Sequence, residues 1–182
     1  MKLPIFTERL ILRKLTEDDV DNIFLLDSNP EVVKYVGVSP ITVKEESAKM
    51  LENIINQYQN NGTGRLAVIE KESNRFIGWS GIKLLTDEVN GFKNVYELGY
   101  RFLPEFWGKG YATEAALASV DLGFNQLNAD KIYAYADVGN ESSNHILTKL
   151  GFENKGTFLD KDDICNWYEL EKNNRKFFKN IF

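Results

Sequence analysis

The chain has 182 residues, and its 43% hydrophobic content is enough to build one compact core. A net charge of −5 and a pI of about 5.1 argue against nucleic acid or an anionic membrane as a partner. Cys165 is the only cysteine, so no disulfide forms within the chain, and there is no Cys/His cluster to hold zinc. We therefore expect a single domain over residues 1–182, without a metal, in a reducing cytoplasmic compartment.

Hydrophobic periodicity predicts a mixed α/β protein in which early hairpins are followed by helical crossovers. Strand patterns occupy residues 8–14, 65–70, 76–84, 96–102, 131–138, 152–158 and 164–170. Helical spacing occupies residues 16–28, 42–61, 112–124 and 140–150. The second helix is predicted to bury a stripe formed by Ala48, Leu51, Ile55 and Tyr58. The basic, aromatic tail at 171–182 is predicted either to be a frayed helix or to dock on a neighbouring surface.

A glycine loop, Gly108-Lys109-Gly110, lies between the strand at 96–102 and an alanine-rich helix. Uncovered backbone N–H groups and the positive end of the helix dipole make such a loop a site for phosphate. The P-loop pattern fails because Gly110 stands where it needs Ser or Thr. The dinucleotide pattern G-x-G-x-x-G is disfavoured because Thr113 takes its third glycine position. A plain strand-to-helix turn is the remaining alternative.

Several segments, in order, resemble the GNAT acyltransferase superfamily, and most closely its branch of ribosomal-protein (alanine) N-acetyltransferases. They are TERLILR at 7–13, ELGY at 97–100, WGKGYATEA at 107–115, NESSN at 140–144 and KLGF at 149–152. The loop motif of that superfamily, Q/R-x-x-G-x-G/A, has Glu105 in its first place here. A carboxylate beside a pyrophosphate is unfavourable, so we expect Glu105 to point to solvent.

The resemblance implies the GNAT fold, a mixed twisted sheet of about seven strands with splayed central parallel strands and flanking helices. Acetyl-CoA, as the co-substrate, would enter the splay, with its pantetheine arm along residues 97–102 and its pyrophosphate on the glycine loop. The residues implied to bind it are Tyr100, Phe102, Leu103, Gly108, Lys109, Gly110, Tyr111, Ala112, Thr113, Asn140, Asn144 and Lys149.

Transfer of an acetyl group to an amine requires loss of a proton from the ammonium and stabilisation of the leaving thiolate. The resemblance implies that Glu97 is the general base. Its alternative is a structural ion pair with Arg101 or a nearby lysine. Ser143 would hydrogen-bond the sulfur and Asn140 the pantetheine or a catalytic water, although both residues can equally cap a helix.

Two reactive residue types are interpreted without a catalytic role. His145 has no orienting acid and no G-x-S-x-G elbow in the chain, so we expect it at the surface or at the rim of the cofactor site. Cys165 lies in a strand pattern and is predicted to pack rather than to react.

The acceptor is the least defined part of the prediction. Tyr35, Trp79 and Phe106 are expected to rim its cleft, and the acidic loop at 160–163 could attract a cationic amine. The resemblance favours a protein or peptide α-amino group, with a polyamine, amino acid or aminoglycoside as the small-molecule alternative. A noncatalytic acyl-CoA-binding protein and a nucleotide-dependent oxidoreductase also remain open. The assembly is expected to be a monomer or a homodimer.

Overall fold

The structure, a computed structural model, describes residues 1–173, so residues 174–182 of the predicted tail lie outside the described part. The strands are β1 (Ile5–Phe6), β2 (Leu10–Lys14), β3 (Arg65–Glu70), β4 (Phe76–Leu85), β5 (Val95–Phe102), β6 (Lys131–Asp137), β7 (Glu153–Asp160) and β8 (Asp163–Glu171). The helices are α1 (Val20–Asp27), α2 (Pro30–Val33), α3 (Lys44–Asn61), α4 (Tyr111–Asn125) and α5 (Glu141–Lys149).

The strands form one eight-stranded sheet in the order β1-β2-β3-β4-β5-β6-β8-β7. Only β5 and β6 pair in parallel, and all other neighbours are antiparallel within residues 1–173. The seven predicted strands are present, and the eighth is β1, whose two residues are too short to show alternation. The last strand, β8, lies between β6 and β7, a pairing that sequence spacing does not reveal.

The two central strands, β5 and β6, splay apart along their length. Their only paired residues within 1–173 are Glu97 and Tyr133, whereas β4 and β5 pair from Leu85↔Val95 to Gly78↔Phe102. The β6-facing edge of β5 therefore has no strand partner after Glu97 in the described part of the chain. This opening confirms the expected splay.

One face of the sheet is covered by α4, which approaches closely because its packed residues are small. Ser119 on α4 lies with its Oγ 3.0 Å from the Oγ of Ser80 on β4, and both residues are fully buried. A Cβ on Gly123 would come within 2.7 Å of the side chain of Ile132 on β6. These contacts confirm that small residues let the helix sit against the sheet.

The opposite face is covered by α1 and α3. The first residue of α3 follows a capping interaction in which Glu46 accepts a hydrogen bond from the backbone N–H of Val43, and Gly62, at φ 70°, ends the helix. The buried stripe consists of Ser47, Leu51, Ile54 and Tyr58. The predicted stripe was right at Leu51 and Tyr58 and wrong at Ala48, which is exposed, while Ile55 is half-buried at the edge of the stripe.

Candidate active site

The glycine loop joins β5 to α4 in the conformation that an anion site requires. Gly108 and Gly110 have φ of 71° and 80°, in the left-handed region that favours glycine. Space around Gly108 is open, since a Cβ atom added there would meet no atom within 4 Å in the described chain. The bond from Glu114 N to Gly110 O, 3.1 Å, is the first of the helix. The N–H groups just before Glu114, on residues 111–113, therefore lack a carbonyl one turn back and point out of the helix end.

Hydrogen bonds from Thr7 and Arg9, which were not predicted from the sequence, hold this loop in place. Glu114 accepts hydrogen bonds from Thr7 Oγ1 at 2.6 Å, from the Arg9 backbone N–H at 2.8 Å and from Arg9 Nε at 2.7 Å. Arg9 Nη1 also donates to the carbonyl of Lys109 at 2.8 Å. The segments at 7–13 and 107–115, which both carry the family resemblance, thus contact each other in the fold. Their joint presence in the sequence could have predicted this contact.

Several predicted cofactor residues can offer only their backbone. The side chains of Phe102 and Leu103 are buried, and the Phe102 carbonyl accepts a hydrogen bond from Trp107 Nε1 at 2.7 Å. The Tyr111 hydroxyl donates to Glu70, which leaves that side chain turned toward β3. Ala112 and Thr113 are half-buried in the first turn of α4, and Lys109 is exposed.

Glu105 lies at the side of the loop, as an exposed ion pair. Its Oε1 is 2.7 Å from Arg75 Nη2, and both side chains are more than half exposed. The carboxylate is therefore neutralised by Arg75 away from the glycine N–H groups, in agreement with the expected outward orientation.

A cleft of about 420 Å³ opens beside the splay and reaches from the sheet to α3 and the β7–β8 hairpin. Six of the predicted site residues line it, namely Tyr35, Trp79, Glu97, Tyr100, Asn140 and Ser143. The structure thus brings the three predicted catalytic residues, Glu97, Ser143 and Asn140, and two of the three predicted acceptor residues to one cavity.

Glu97 is buried in the cleft floor and paired with Arg65. The carboxylate Oε2 accepts from Arg65 Nη2 at 2.5 Å, and the side chains are 6% and 10% exposed. Arg65 Nη1 also donates to the carbonyls of Gly81 and Glu97, at 2.6 and 3.1 Å. The other oxygen, Oε1, accepts no hydrogen bond within residues 1–173, so it is the atom available to a ligand.

Arg101 is not the partner of Glu97, contrary to the structural alternative considered from the sequence. It forms an ion pair with Asp27, which is 2% exposed at the end of α1. Arg65 and Arg101 lie on either side of Trp79, each with its guanidinium carbon 5.2 Å from the indole ring. The strand register explains why Arg101 does not bind Glu97. Arg101 is opposite Trp79 on β4, whereas Glu97 is opposite Lys83, four residues away on the same strand.

Two further cleft residues, Lys83 and Tyr135, were not singled out from the sequence. Lys83 Nζ lies 3.9 Å from Glu97 Oε2, which partly fulfils the expectation of a nearby lysine. Glu97 raises the pKa of Lys83, but burial and the charge of Arg65 outweigh it and leave that pKa lowered. Burial, followed by the charge of Glu97, raises the pKa of the Tyr135 hydroxyl. Both residues could have been predicted from the sequence, because each is a polar side chain at a strand position whose alternation points it into the protein.

Ser143 lies in the first turn of α5, where it meets β5. Its Oγ is 3.0 Å from the Tyr100 hydroxyl, which also donates to the Ser143 carbonyl at 3.2 Å. Burial raises the pKa of Tyr100 well above its usual value, so this hydroxyl keeps its proton. Asn140 caps α5 by accepting from the Ser143 backbone N–H at 3.1 Å. The helix cap considered from the sequence is thus present and orients the same residue that faces the cleft.

Asn144 has a structural role that the prediction of cofactor contact did not include. Its Nδ2 donates to the carbonyls of Asp137 and Asn140, both at 2.8 Å. Its Oδ1 accepts from Asn166 at 2.9 Å and from Tyr168 at 2.8 Å. All polar positions of the side chain are engaged in joining β6, α5 and β8, so the amide has none left for a ligand.

Phe106 does not lie at the rim of the acceptor cleft, which corrects that expectation. It is 5% exposed and packs against Tyr111, with ring centroids 6.1 Å apart, on the far side of β5 from the cleft residues. Arg75 stacks on it from outside. Lys149 and His145 are exposed on α5, and the position of His145 agrees with the expected surface location.

The mouth of the cleft carries three carboxylates, on Asp137, Asp160 and Asp163. Burial, together with these three charges, raises the pKa of Cys165 to about 11. The thiol is 6% exposed, so it stays protonated and packs, as predicted.

Residues 1–173 contain no group of three or more His, Cys, Asp or Glu side chains arranged to hold a metal ion. No helix in that range combines the length and the apolar character needed to cross a membrane.

Comparison with known proteins identifies the family. The acetyltransferase (GNAT) domain matches residues 9–153. The chain belongs to the GNAT acetyltransferase family. Among related sequences, the uncharacterized N-acetyltransferase p20 of Bacillus licheniformis is 34% identical over 86% of this chain and 85% of its own. The spermidine N(1)-acetyltransferase of Escherichia coli is 31% identical over 86% and 80%, respectively. This GNAT protein is therefore an acetyl-CoA-dependent N-acetyltransferase.

Solved structures of GNAT enzymes share the fold. The spermidine N-acetyltransferase of Vibrio cholerae, in complex with CoA and spermine, superimposes with a TM-score of 0.73, 23% identity and coverage of 92% of this chain and 98% of that one. The ribosomal-protein-S5-alanine acetyltransferase of Vibrio fischeri superimposes with a TM-score of 0.76 and 18% identity, and the match covers 93% of this chain and 97% of that one. At these identities the likeness establishes the GNAT fold of this chain and leaves its acceptor undefined.

Proposed function

We propose that this GNAT enzyme transfers the acetyl group of acetyl-CoA to a primary amine of a small molecule. The observation that carries the proposal is the cleft, where Glu97 and Ser143 meet beside the open edge of β5. Relatives at 31% identity bear the name of a small-molecule acetyltransferase, whereas the likeness to a ribosomal-protein enzyme is at 18% identity. The small-molecule alternative therefore replaces the expected protein α-amino group as the preferred acceptor.

The glycine loop fits the co-substrate, because its left-handed glycines leave open space above N–H groups at a helix start. We propose that the backbone of residues 108–113 holds the pyrophosphate and that the unpaired edge of β5, from Tyr100 to Phe102, holds the pantetheine arm; Leu103 is left out because its N–H donates to the Ile77 carbonyl and its carbonyl accepts from Phe106. Lys149, exposed at the end of α5, is proposed to reach the nucleotide end. Acetyl-CoA, when bound, supplies an activated acetyl thioester at the splay.

Glu97 is proposed to receive the ammonium proton, directly or through one water, so that the free amine can attack. Arg65 holds Oε2 and thereby fixes the carboxylate, which leaves Oε1 for the ammonium. A buried ion pair of this kind restricts the side chain to one orientation and so supplies the preorganisation that catalysis needs. Trp79 and Tyr35 would enclose the body of the acceptor.

Ser143 is proposed to stabilise the departing thiolate by a hydrogen bond. The single proton of Tyr100 can go to the Ser143 carbonyl or to Ser143 Oγ, and in the second arrangement the serine proton is left free to point at the sulfur. Tyr100 then acts as a positioning residue. Asn140 is also a positioning residue, because its side chain is committed to the Ser143 backbone.

The test is a panel of small amines, peptides and diamines with acetyl-CoA, read by release of the CoA thiol. We expect turnover of small amines, a loss of about a hundredfold or more in kcat for Glu97→Gln, and a smaller loss for Ser143→Ala. CoA affinity should be retained in both variants. Turnover confined to peptides would overturn the small-molecule proposal, and no turnover of any amine with intact CoA binding would favour a noncatalytic CoA-binding protein.

A thermal-shift comparison distinguishes the proposed acetyltransferase from the remaining alternative, a nucleotide-dependent oxidoreductase. Acetyl-CoA should raise the melting temperature, and NAD, NADP and ATP should not. Stabilisation by a dinucleotide alone would support the oxidoreductase alternative. We further propose a cytoplasmic location, on cysteine usage, a single domain over 1–182, and a monomer or homodimer that sedimentation can distinguish.

A further inference from the structure

Lys83 is a charged residue in the acceptor cleft that has no role in the proposed chemistry. It lies on β4 directly opposite Glu97 in the β4–β5 register, and its side chain is 30% exposed to the cleft. Its Nζ is 3.9 Å from Glu97 Oε2, beyond hydrogen-bond distance, and it donates to no other group within residues 1–173. An ammonium with three donors therefore lines the cavity in ion-pair contact with Glu97 but without a hydrogen bond in the described residues.

The charge of Lys83 is not needed to neutralise Glu97. Arg65 already binds the same oxygen at 2.5 Å and is itself almost buried. The lowered pKa of Lys83 fits this arrangement, since the attraction of Glu97, with a smaller contribution from Asp160, is outweighed by burial and Arg65 together. An anionic ligand group at Nζ would relieve the crowding of two cations and would give the ammonium its missing acceptor.

Glu97 and Lys83 are cross-strand neighbours on β5 and β4, and their charged groups, one anionic and one cationic, both line the cleft. Their complement is a ligand with an ammonium and a carboxylate side by side, as in a molecule that carries both groups on one carbon. We infer that Lys83 binds the carboxylate of the acceptor and that the acceptor is a free amino acid, acetylated on its α-amine. This inference rests on the proposed function and names its substrate class.

The carboxylates at the cleft mouth indicate which amino acids should be tried first. Asp160 and Asp163 face each other across the β7–β8 hairpin, and neither has an ion-pair partner in the described residues. They would favour an amino acid whose side chain ends in a positive charge. Lysine and ornithine are therefore the test substrates, and cadaverine and putrescine are their counterparts without the carboxylate.

The test measures kcat/KM of the full-length enzyme for lysine against cadaverine, for ornithine against putrescine, and for lysine against lysinamide. Mass spectrometry identifies the acetylated nitrogen. We expect the free carboxylate to raise kcat/KM roughly ten- to a hundredfold in each pair, the range of one charge-assisted hydrogen bond. The α-nitrogen should carry the acetyl group.

Lys83→Met should bring each ratio to about one, and Lys83→Arg should restore part of the preference. Lys93→Met, the same change on an exposed loop residue outside the cleft, should leave the ratios as in the wild type. Preference for the diamines in the wild type, or a ratio that Lys83→Met does not change, would overturn the inference while leaving the proposed function intact. Lack of turnover with every amine would instead contradict the proposed function.

Discussion

A Cβ atom on Gly99 would lie 2.6 Å from the guanidinium carbon of Arg65, a separation that real Cβ atoms do not reach. Gly99 is therefore the opening in β5 across which the Arg65 guanidinium extends to Glu97. The glycine belongs to the ELGY segment of the family resemblance, and its role is to make room for a side chain from β3. The ion pair in the cleft floor depends on a residue that takes no part in it.

Gly99→Ala should displace the guanidinium and leave Glu97 buried without its partner. We expect the free energy of unfolding to fall by about 3 kcal/mol, the usual cost of breaking a buried pair. Urea denaturation provides the measurement. In a Glu97→Gln background the same change should cost clearly less, because no charge is stranded there. Equal costs in the two backgrounds would show that Gly99 does not act through the ion pair.

Gly108→Ala should weaken CoA binding, because an L-residue at φ 71° is strained by about 1–2 kcal/mol and its methyl group would fill the space above the loop. Gly62→Ala is a matched control, with φ 70° and equally open surroundings at the end of α3. Isothermal titration with CoA should show loss of affinity for Gly108→Ala only, with similar losses of stability in both. Equal CoA affinity in the two variants would argue against a pyrophosphate at this loop.

Glu114 should make the stability of the glycine loop depend on pH. Burial alone would raise its pKa, but the hydrogen bonds and charge from Thr7 and Arg9 leave that pKa lowered. A lowered folded-state pKa means that the stabilisation is complete above about pH 4.5, its ordinary value, and is lost as the pH falls through the lowered pKa. Unfolding of Glu114→Gln, followed by circular dichroism between about pH 3 and 7, should therefore show a shallower acid-side slope than the wild type. These pH bounds are roughly the window in which carboxyl groups titrate.

An unchanged slope in Glu114→Gln would mean that the carboxylate is not the group whose titration loosens the loop. Glu52→Gln, the same change at an exposed residue of α3, serves as the comparison variant and should retain the wild-type slope.

Asn144→Ala should destabilise the protein rather than selectively weaken cofactor binding. The side chain makes four hydrogen bonds that join β6, α5 and β8, and truncation leaves several of their partners unsatisfied. We expect a loss of about 2–3 kcal/mol in thermal or urea unfolding. Tyr168→Phe removes one of the four bonds and should cost about 1 kcal/mol. A variant with wild-type stability and weak CoA binding would instead support the cofactor contact that the family resemblance implies.

The predicted and observed local structures agree where the backbone conformation depends on neighbouring residues. Gly108 and Gly110 were recognisable because a left-handed turn before a helix selects glycine, and Asn140 because a helix start selects a capping residue. Phe106 was wrongly expected at the acceptor cleft, and the structural hydrogen bonds of Asn144 were not foreseen, because neither follows from the motif around the residue. Burial of the one and bonding of the other are set by strands far away in the chain.

By itself, the sequence determined the order of helices and strands, the glycine loop before α4 and the acidic residue in the central strand, since these follow from periodicity and from backbone requirements of neighbouring residues. Tertiary structure alone decided the partner of Glu97, because Arg65 and Gly99 come together only when β3, β4 and β5 pair in register. It also decided that Lys83 lines the cleft in ion-pair contact with Glu97 but without a hydrogen bond within the described residues. The physical reason is that charge and burial at a site are sums over all packed neighbours, and the neighbours are chosen by strand pairing between distant segments.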